Sequence, residues 1–147
     1  MLTLDYEHEI RASAACVWGV IVDFEHYGDW NPFVTRCEAA LEPGAPIVMQ
    51  VDMGPFSLEQ TEQVTRVEPE TLFEYRMRPV GTLLYSRRQH HITPLPGGVT
   101  QYRSYFELRG WLAPLVALCM GYFLRRGFKQ MSAAVQCRAE QLSSGAS

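Results

Sequence analysis

The chain has 147 residues, 47% apolar, 12% aromatic and 20% charged, with 13 basic and 16 acidic side chains and a net charge of −3. That length suits a single domain, 1–147, large enough to bury roughly 70% of its unfolded surface. The composition excludes long disorder, collagen and a dominant coiled coil, and the charge gives no global attraction for nucleic acid.

Leu2, Leu4, Tyr6, His8 and Ile10 alternate with Thr3, Asp5, Glu7 and Glu9, so 2–10 reads as a strand. Ser13 offers an N-cap to the run that follows, in which Val17, Val20, Ile21 and Phe24 share one helical face. Gly28 and Pro32 break that pattern, leaving a second short helix ending at Trp30. From Val34 to Arg109, turn signals such as Glu42-Pro43-Gly44, Gly54-Pro55 and Pro96-Gly97-Gly98 separate six strands, near 34–41, 46–53, 56–67, 71–78, 83–94 and 99–109. Short links between them predict an antiparallel meander. Alternation makes one face apolar, as in Phe73, Tyr75 and Met77 or Tyr102, Ser104, Phe106 and Leu108, and the other charged.

The last element reads as a helix over 112–142, with Pro114 in its first turn. Leu124, Phe128, Met131, Val135, Ala139 and Leu142 form its apolar stripe, with Arg125, Lys129, Ser132, Gln136 and Glu140 opposite. The 15-residue apolar run Gly110–Leu124 is shorter than the roughly 20 residues a membrane span needs, and it reads as a packed helix start. Gly121 and Gly127 permit a bend. The tail 143–147, SSGAS, reads as disordered.

Within this order, A-x-x-V-W-x-V-I-x-D-F-x-x-Y-x-x-W-N-P-F at 14–33 resembles the opening signature of the START/Bet v 1-like (SRPBCC) superfamily. H-H-I-T-P-L-P-G-G-V-T at 90–100 resembles its penultimate hairpin, and F-E-L-R-G at 106–110 resembles the segment before its last helix. The resemblance implies an α+β helix-grip fold: a seven-stranded antiparallel sheet wrapped around a long C-terminal helix, two short helices after strand 1, and a cavity between sheet and helix. It also implies a pocket-rim corner at Trp30–Phe33. It does not choose among the lipid carriers, polyketide aromatases and cyclases, receptors and other activities on that fold.

The apolar faces predict a cavity lined by Phe33, Met49, Val51, Phe73, Tyr75, Tyr102, Ser104, Phe106, Met120, Leu124 and Phe128, with His90 as polar anchor. His90 shares the side of Ile92. It reads either as an anchor or general base or as a strand histidine satisfied by a neighbouring Tyr or Ser. Glu62 and Gln60 share the parity of Leu58 and Val64; buried, Glu62 would be a candidate acid or base, whereas a bulge would turn it outward. Candidate catalytic residues are therefore His90, Tyr102 and Glu62. Arg87 and Arg88 are adjacent, so at most one faces inward. Trp18 and Trp30 read as structural.

Cys16, Cys37, Cys119 and Cys137 form no C-x-x-C pair and have no histidine at zinc-ligand spacing. They read as free thiols in a cytoplasmic protein, Cys16 and Cys119 as small core residues. The N-terminus MLTLDYEHEI lacks an apolar signal core. No phosphate loop, G-x-S-x-G or H-E-x-x-H occurs, so neither cofactor nor metal is expected.

Three functions follow as expectations. The first is binding or carriage of a small hydrophobic molecule such as a lipid, polyketide or aromatic metabolite. The second is a polyketide cyclase or dehydratase using His90 and Tyr102. In the third, the C-terminal segment contacts a membrane or protein through Arg125, Arg126 and Lys129. Residues 109–147 carry 5 basic and 1 acidic side chains, against 8 and 15 in residues 1–108, which describes a solvated basic face equally well.

Overall fold

In the computed structural model, which describes residues 1–145, Ser13 caps the first helix as its position suggests: its Oγ accepts from the Cys16 N–H at 3.1 Å. The chain runs β1 (Leu2–Ile10), α1 (Ala14–Val22), a 3-10 turn (Phe24–His26), α2 (Tyr27–Trp30), β2 (Val34–Ala39), β3 (Pro46–Asp52), β4 (Ser57–Glu68), β5 (Leu72–Met77), β6 (Tyr85–Leu95), β7 (Val99–Arg109) and α3 (Ala113–Gly145). The seven strands form one antiparallel sheet in the order β1-β7-β6-β5-β4-β3-β2. Strands β2 to β7 are the meander that their short links predict. β1 closes the sheet by pairing with β7, Leu2 opposite Leu108 and Ile10 opposite Thr100.

α3 lies across the apolar face of the sheet, the helix-grip arrangement. Its second half is packed: Met131, Val135 and Ala139 are buried. Ser132, assigned from its spacing to the solvated face, is buried as well. The His8 imidazole on β1 explains this, being hydrogen-bonded to Ser132 Oγ at 3.0 Å and Gln136 Oε1 at 3.1 Å. The helix continues to Gly145, so residues 143–145, expected in a disordered tail, extend its last turn. Residues 146–147 of that expected tail lie outside the described residues.

The charged face of the sheet is less solvated than alternation alone implies. Glu74 is buried there among Thr65, Arg76 and Gln89, and Glu107 beneath Arg87 and Arg109. Long side chains on neighbouring strands cover these carboxylates and pair with them.

All four cysteines are free. Cys37 is buried, but Cys119, expected in the core, is exposed on the outer side of α3. Among the described residues, no helix is long and apolar enough to cross a membrane.

Candidate functional site

One end of the space between sheet and helix is filled and the other is hollow. α1 and the 3-10 turn fill the first. Val17, Val20 and Ile21 are buried, and the Phe24 ring reaches Phe73 at 5.7 Å. Phe73, His90 and Tyr102 stack in succession, with centroid separations of 6.0 and 5.8 Å. Nothing comparable fills the other end. There a cavity of about 270 Å³ opens beneath the first half of α3. Its roof is Val116, Met120, Leu124 and Phe128. Its walls include Phe33, Met49, Val51, Met53, Leu58, Tyr75, Met77, Leu84, Phe106 and Leu108. Gln60, Glu62, Ser86 and Arg88 are polar residues on the wall.

Of the residues expected to line the cavity, Phe33, Met49, Val51, Tyr75, Phe106, Met120, Leu124 and Phe128 are on its wall, as is Glu62. Phe73, His90, Tyr102 and Ser104 are not. They face inward as alternation requires, but nearer the filled end. His90 in particular is not the cavity's anchor. It is fully buried, and its Nδ1 is hydrogen-bonded to the Tyr102 hydroxyl at 2.6 Å, while Nε2 has no partner. Burial holds its pKa well below the ordinary histidine range, with Arg88 and His91 acting in the same direction, so the ring is neutral. This is the buried strand histidine bonded to a neighbouring tyrosine, with one ring nitrogen satisfied and the other not.

Glu62 faces inward because the strand bulge falls elsewhere. The β4–β5 register shifts between Val64 and Arg66, beyond Glu62, leaving Leu58, Gln60 and Glu62 on one side. Its Oε1 is buried without a hydrogen-bond partner. Burial pushes the Glu62 pKa up to about 7, against the opposing pull of Arg88 and a hydrogen bond with Gln60. Burial likewise raises the phenol of Tyr75, which stays protonated.

Arg88 is a cavity-wall residue that the sequence left unassigned. Of the adjacent arginines, Arg87 points out to Glu107 at 3.2 Å, whereas Arg88 points in and is 1% exposed. Its parity with Ser86, His90 and Ile92 was the available signal. The guanidinium lies 4.8 Å over the Phe128 ring and donates from Nη1 to Ser104 Oγ at 2.7 Å and to the Gln89 and Tyr105 carbonyls at 3.3 Å. Nη2 meets Met131 Sδ at 3.8 Å, and Nε has no partner.

Gly127 sets the position of Phe33 at the cavity. A Cβ there would lie 2.2 Å from the Phe33 ring, so the missing side chain lets that ring lie against the helix backbone and meet Phe128 edge-on at 4.9 Å. The described residues bring no group of three metal-ligating side chains together.

Solved structures share this architecture. The Zhui aromatase/cyclase of Streptomyces sp. R1128 is 17% identical, with a TM-score of 0.71 over 97% of this chain and 93% of that one. A START superfamily protein from Mycobacterium smegmatis is 20% identical, with a TM-score of 0.75 over 95% and 98% of the two chains. A norcoclaurine synthase point mutant from Thalictrum flavum, in complex with a transition-state analogue, is 20% identical, with a TM-score of 0.71 over 95% and 94%. These likenesses show the fold. No curated protein matches the sequence. Residues 1–140 match the family described as polyketide cyclase / dehydrase and lipid transport, a match that spans both faces of the cavity and all seven strands, and the chain belongs to that family.

Proposed function

We propose that the protein binds and carries a small hydrophobic molecule in the cavity beneath α3. The observation that carries this reading is the hollow itself: an apolar wall with few polar groups, its volume just below the roughly 300–1,000 Å³ common for ligand sites. Burying about 200 Å² of apolar ligand surface gains about 5 kcal/mol before ordering costs. A displacement titration with a neutral naphthalene dye tests it. Wild type is expected to bind at tens of micromolar or tighter, on the order of 6 kcal/mol. Phe106→Ala should shift preference toward a larger dye, because Phe106 is on the wall. Absence of binding by wild type in that range overturns the reading.

A cyclase or dehydratase acting through His90 and Tyr102 is less well supported, since both lie off the cavity wall. A reaction in this cavity would have to use Glu62, Tyr75 and Arg88 instead.

A carrier also needs a surface at which to collect its cargo. On α3, exposed Leu115, Leu118 and Tyr122 are followed at the same helical spacing by exposed Arg125 and Lys129. Trp111, 81% exposed, and Leu83 extend the apolar part beside cavity residues Leu84 and Val116. An apolar patch continued by cations suits the interface of an anionic bilayer, and we read this stripe as a membrane-docking face. Vesicles containing phosphatidylserine should sediment the protein better than phosphatidylcholine vesicles. Leu118→Glu with Tyr122→Glu should abolish that difference. Equal sedimentation of wild type with both vesicles, or full retention by the variant, rejects the docking face.

A further inference from the structure

Among the described residues, Arg88 is a buried cation in no ion pair. Several other arginines of the sheet pair with carboxylates: Arg103 with Asp5 at 2.7 Å, Arg76 with Glu74 at 3.0 Å, and Arg87 with Glu107 at 3.2 Å. Arg88 is more deeply buried than any of these, yet its partners are a hydroxyl, two carbonyls and a thioether, all neutral. Its Nε has none. A buried guanidinium is costly to leave uncompensated. Among the described residues the one acidic side chain on the same cavity wall, Glu62, makes no ion pair with it and has its own unpartnered oxygen. Two polar groups of opposite kind, each with an unsatisfied atom, thus share an otherwise apolar hollow.

We propose that the ligand of this cavity is a compact apolar molecule bearing one carboxylate, which supplies the missing counter-ion of Arg88 and hydrogen-bonds to Glu62. The proposal rests on the cavity-binding reading above and specifies its ligand class. A monoanion fits because one guanidinium is available. Charge-assisted hydrogen bonds to a guanidinium are the strong ones in a desolvated site. An arginine that served only to tie β6 to β7 and α3 would be met by the Ser104, carbonyl and Met131 contacts and would require no place on the cavity wall.

The arrangement fixes the proton balance. With Glu62 ionised, a second carboxylate would compete for the same guanidinium, so the ligand enters against protonated Glu62. In that form the Glu62 O–H donates to a ligand oxygen. Above the Glu62 pKa, binding therefore takes up one proton from solvent, and below it none. The other titratable groups facing this pair hold their states between pH 6 and 8. Tyr75 on β5, Tyr102 on β7 and Tyr27 on α2, whose phenols burial raises, stay protonated. Cys37 on β2, its thiol pushed up to about 12, stays protonated too. Buried His90 on β6 stays neutral. Gln60 beside Glu62 does not titrate. From α3, Met120, Leu124 and Phe128 are apolar.

Isothermal titration calorimetry with 1-naphthylacetate and its uncharged methyl ester tests this. At pH 6 wild type should bind the acid about tenfold or more tighter than the ester. Arg88→Met, similar in bulk and uncharged, should bind the acid no tighter than the ester. Between pH 6 and 8 the wild-type affinity for the acid should fall about tenfold, the ester's should stay level, and Glu62→Gln should flatten the acid's profile. If Arg88→Met does not fold, wild type alone still decides: titrations in two buffers of different ionisation enthalpy should show about one proton taken up per acid at pH 8 and none per ester. An acid that binds no tighter than the ester, an unchanged preference in Arg88→Met, or no proton uptake overturns the proposal while the ester's binding upholds the cavity. Failure of both molecules to bind overturns the proposal and the cavity reading together.

Discussion

Replacing Gly110 with alanine is expected to cost about 3–5 kcal/mol, among the largest losses a single methyl group causes. Gly110 has a φ of +113°, a conformation that L side chains rarely adopt. An added Cβ would also lie 2.3 Å from the Leu83 carbonyl oxygen and 2.8 Å from the Leu84 nitrogen. Those are backbone atoms, which cannot turn aside as a side chain can. The same β5–β6 connection accepts the Trp111 N–H at Thr82 O, 3.3 Å, and the Leu112 N–H at Leu83 O, 2.9 Å. Gly110 therefore fixes where α3 leaves β7, and with it the roof formed by Val116, Met120 and Leu124. Urea unfolding should show a much lower midpoint with little change in slope. A variant within about 0.5 kcal/mol of wild type would mean that the connection yields freely.

Glu62→Gln should do the opposite at neutral pH. Glu62 titrates near its ordinary value in the unfolded chain, but in the folded protein burial first, opposed by Arg88 and Gln60, leaves its pKa at about 7. Between those values the folded state binds more protons than the unfolded state, so stability falls as pH rises. The loss is complete above about 7 and amounts to on the order of 3 kcal/mol. Glutamine keeps the shape and carries no charge to desolvate. The variant should match wild type near pH 4.5 and exceed it progressively up to pH 8, by roughly 6–12 °C in Tm for a chain of this size. Parallel melting profiles for the two proteins across that range would show that Glu62 is solvated or paired in solution.

The residues that proved legible are those whose role depends on neighbours in sequence. Alternation placed Met49, Val51, Tyr75 and Phe106 on the inner face, and there they are. Short turns dictated the meander from β2 to β7, and the helical stripe placed Phe128, Met131 and Val135 against the sheet. Parity excluded one of Arg87 and Arg88 from the interior; extended back from Ile92, it also selects Arg88.

Parity tells which face a strand residue occupies but not how far along the sheet it meets empty space. His90 and Arg88 sit two residues apart on the same side of β6. One is stacked between Phe73 and Tyr102, and the other lines a cavity. That division depends on where α1 and Phe24 come to rest, more than 60 residues earlier in the chain. The same limit applies at the start of α3. Leu115, Leu118 and Cys119 belong to an apolar run that local pattern assigns to the core, yet they are exposed because the sheet meets only the opposite side of the helix. The sequence by itself determined the elements, their faces and the antiparallel order, because these follow from local periodicity and turn chemistry. Only the tertiary structure decided which inward groups meet the hollow and which are sealed, because that depends on volumes filled by residues distant in sequence.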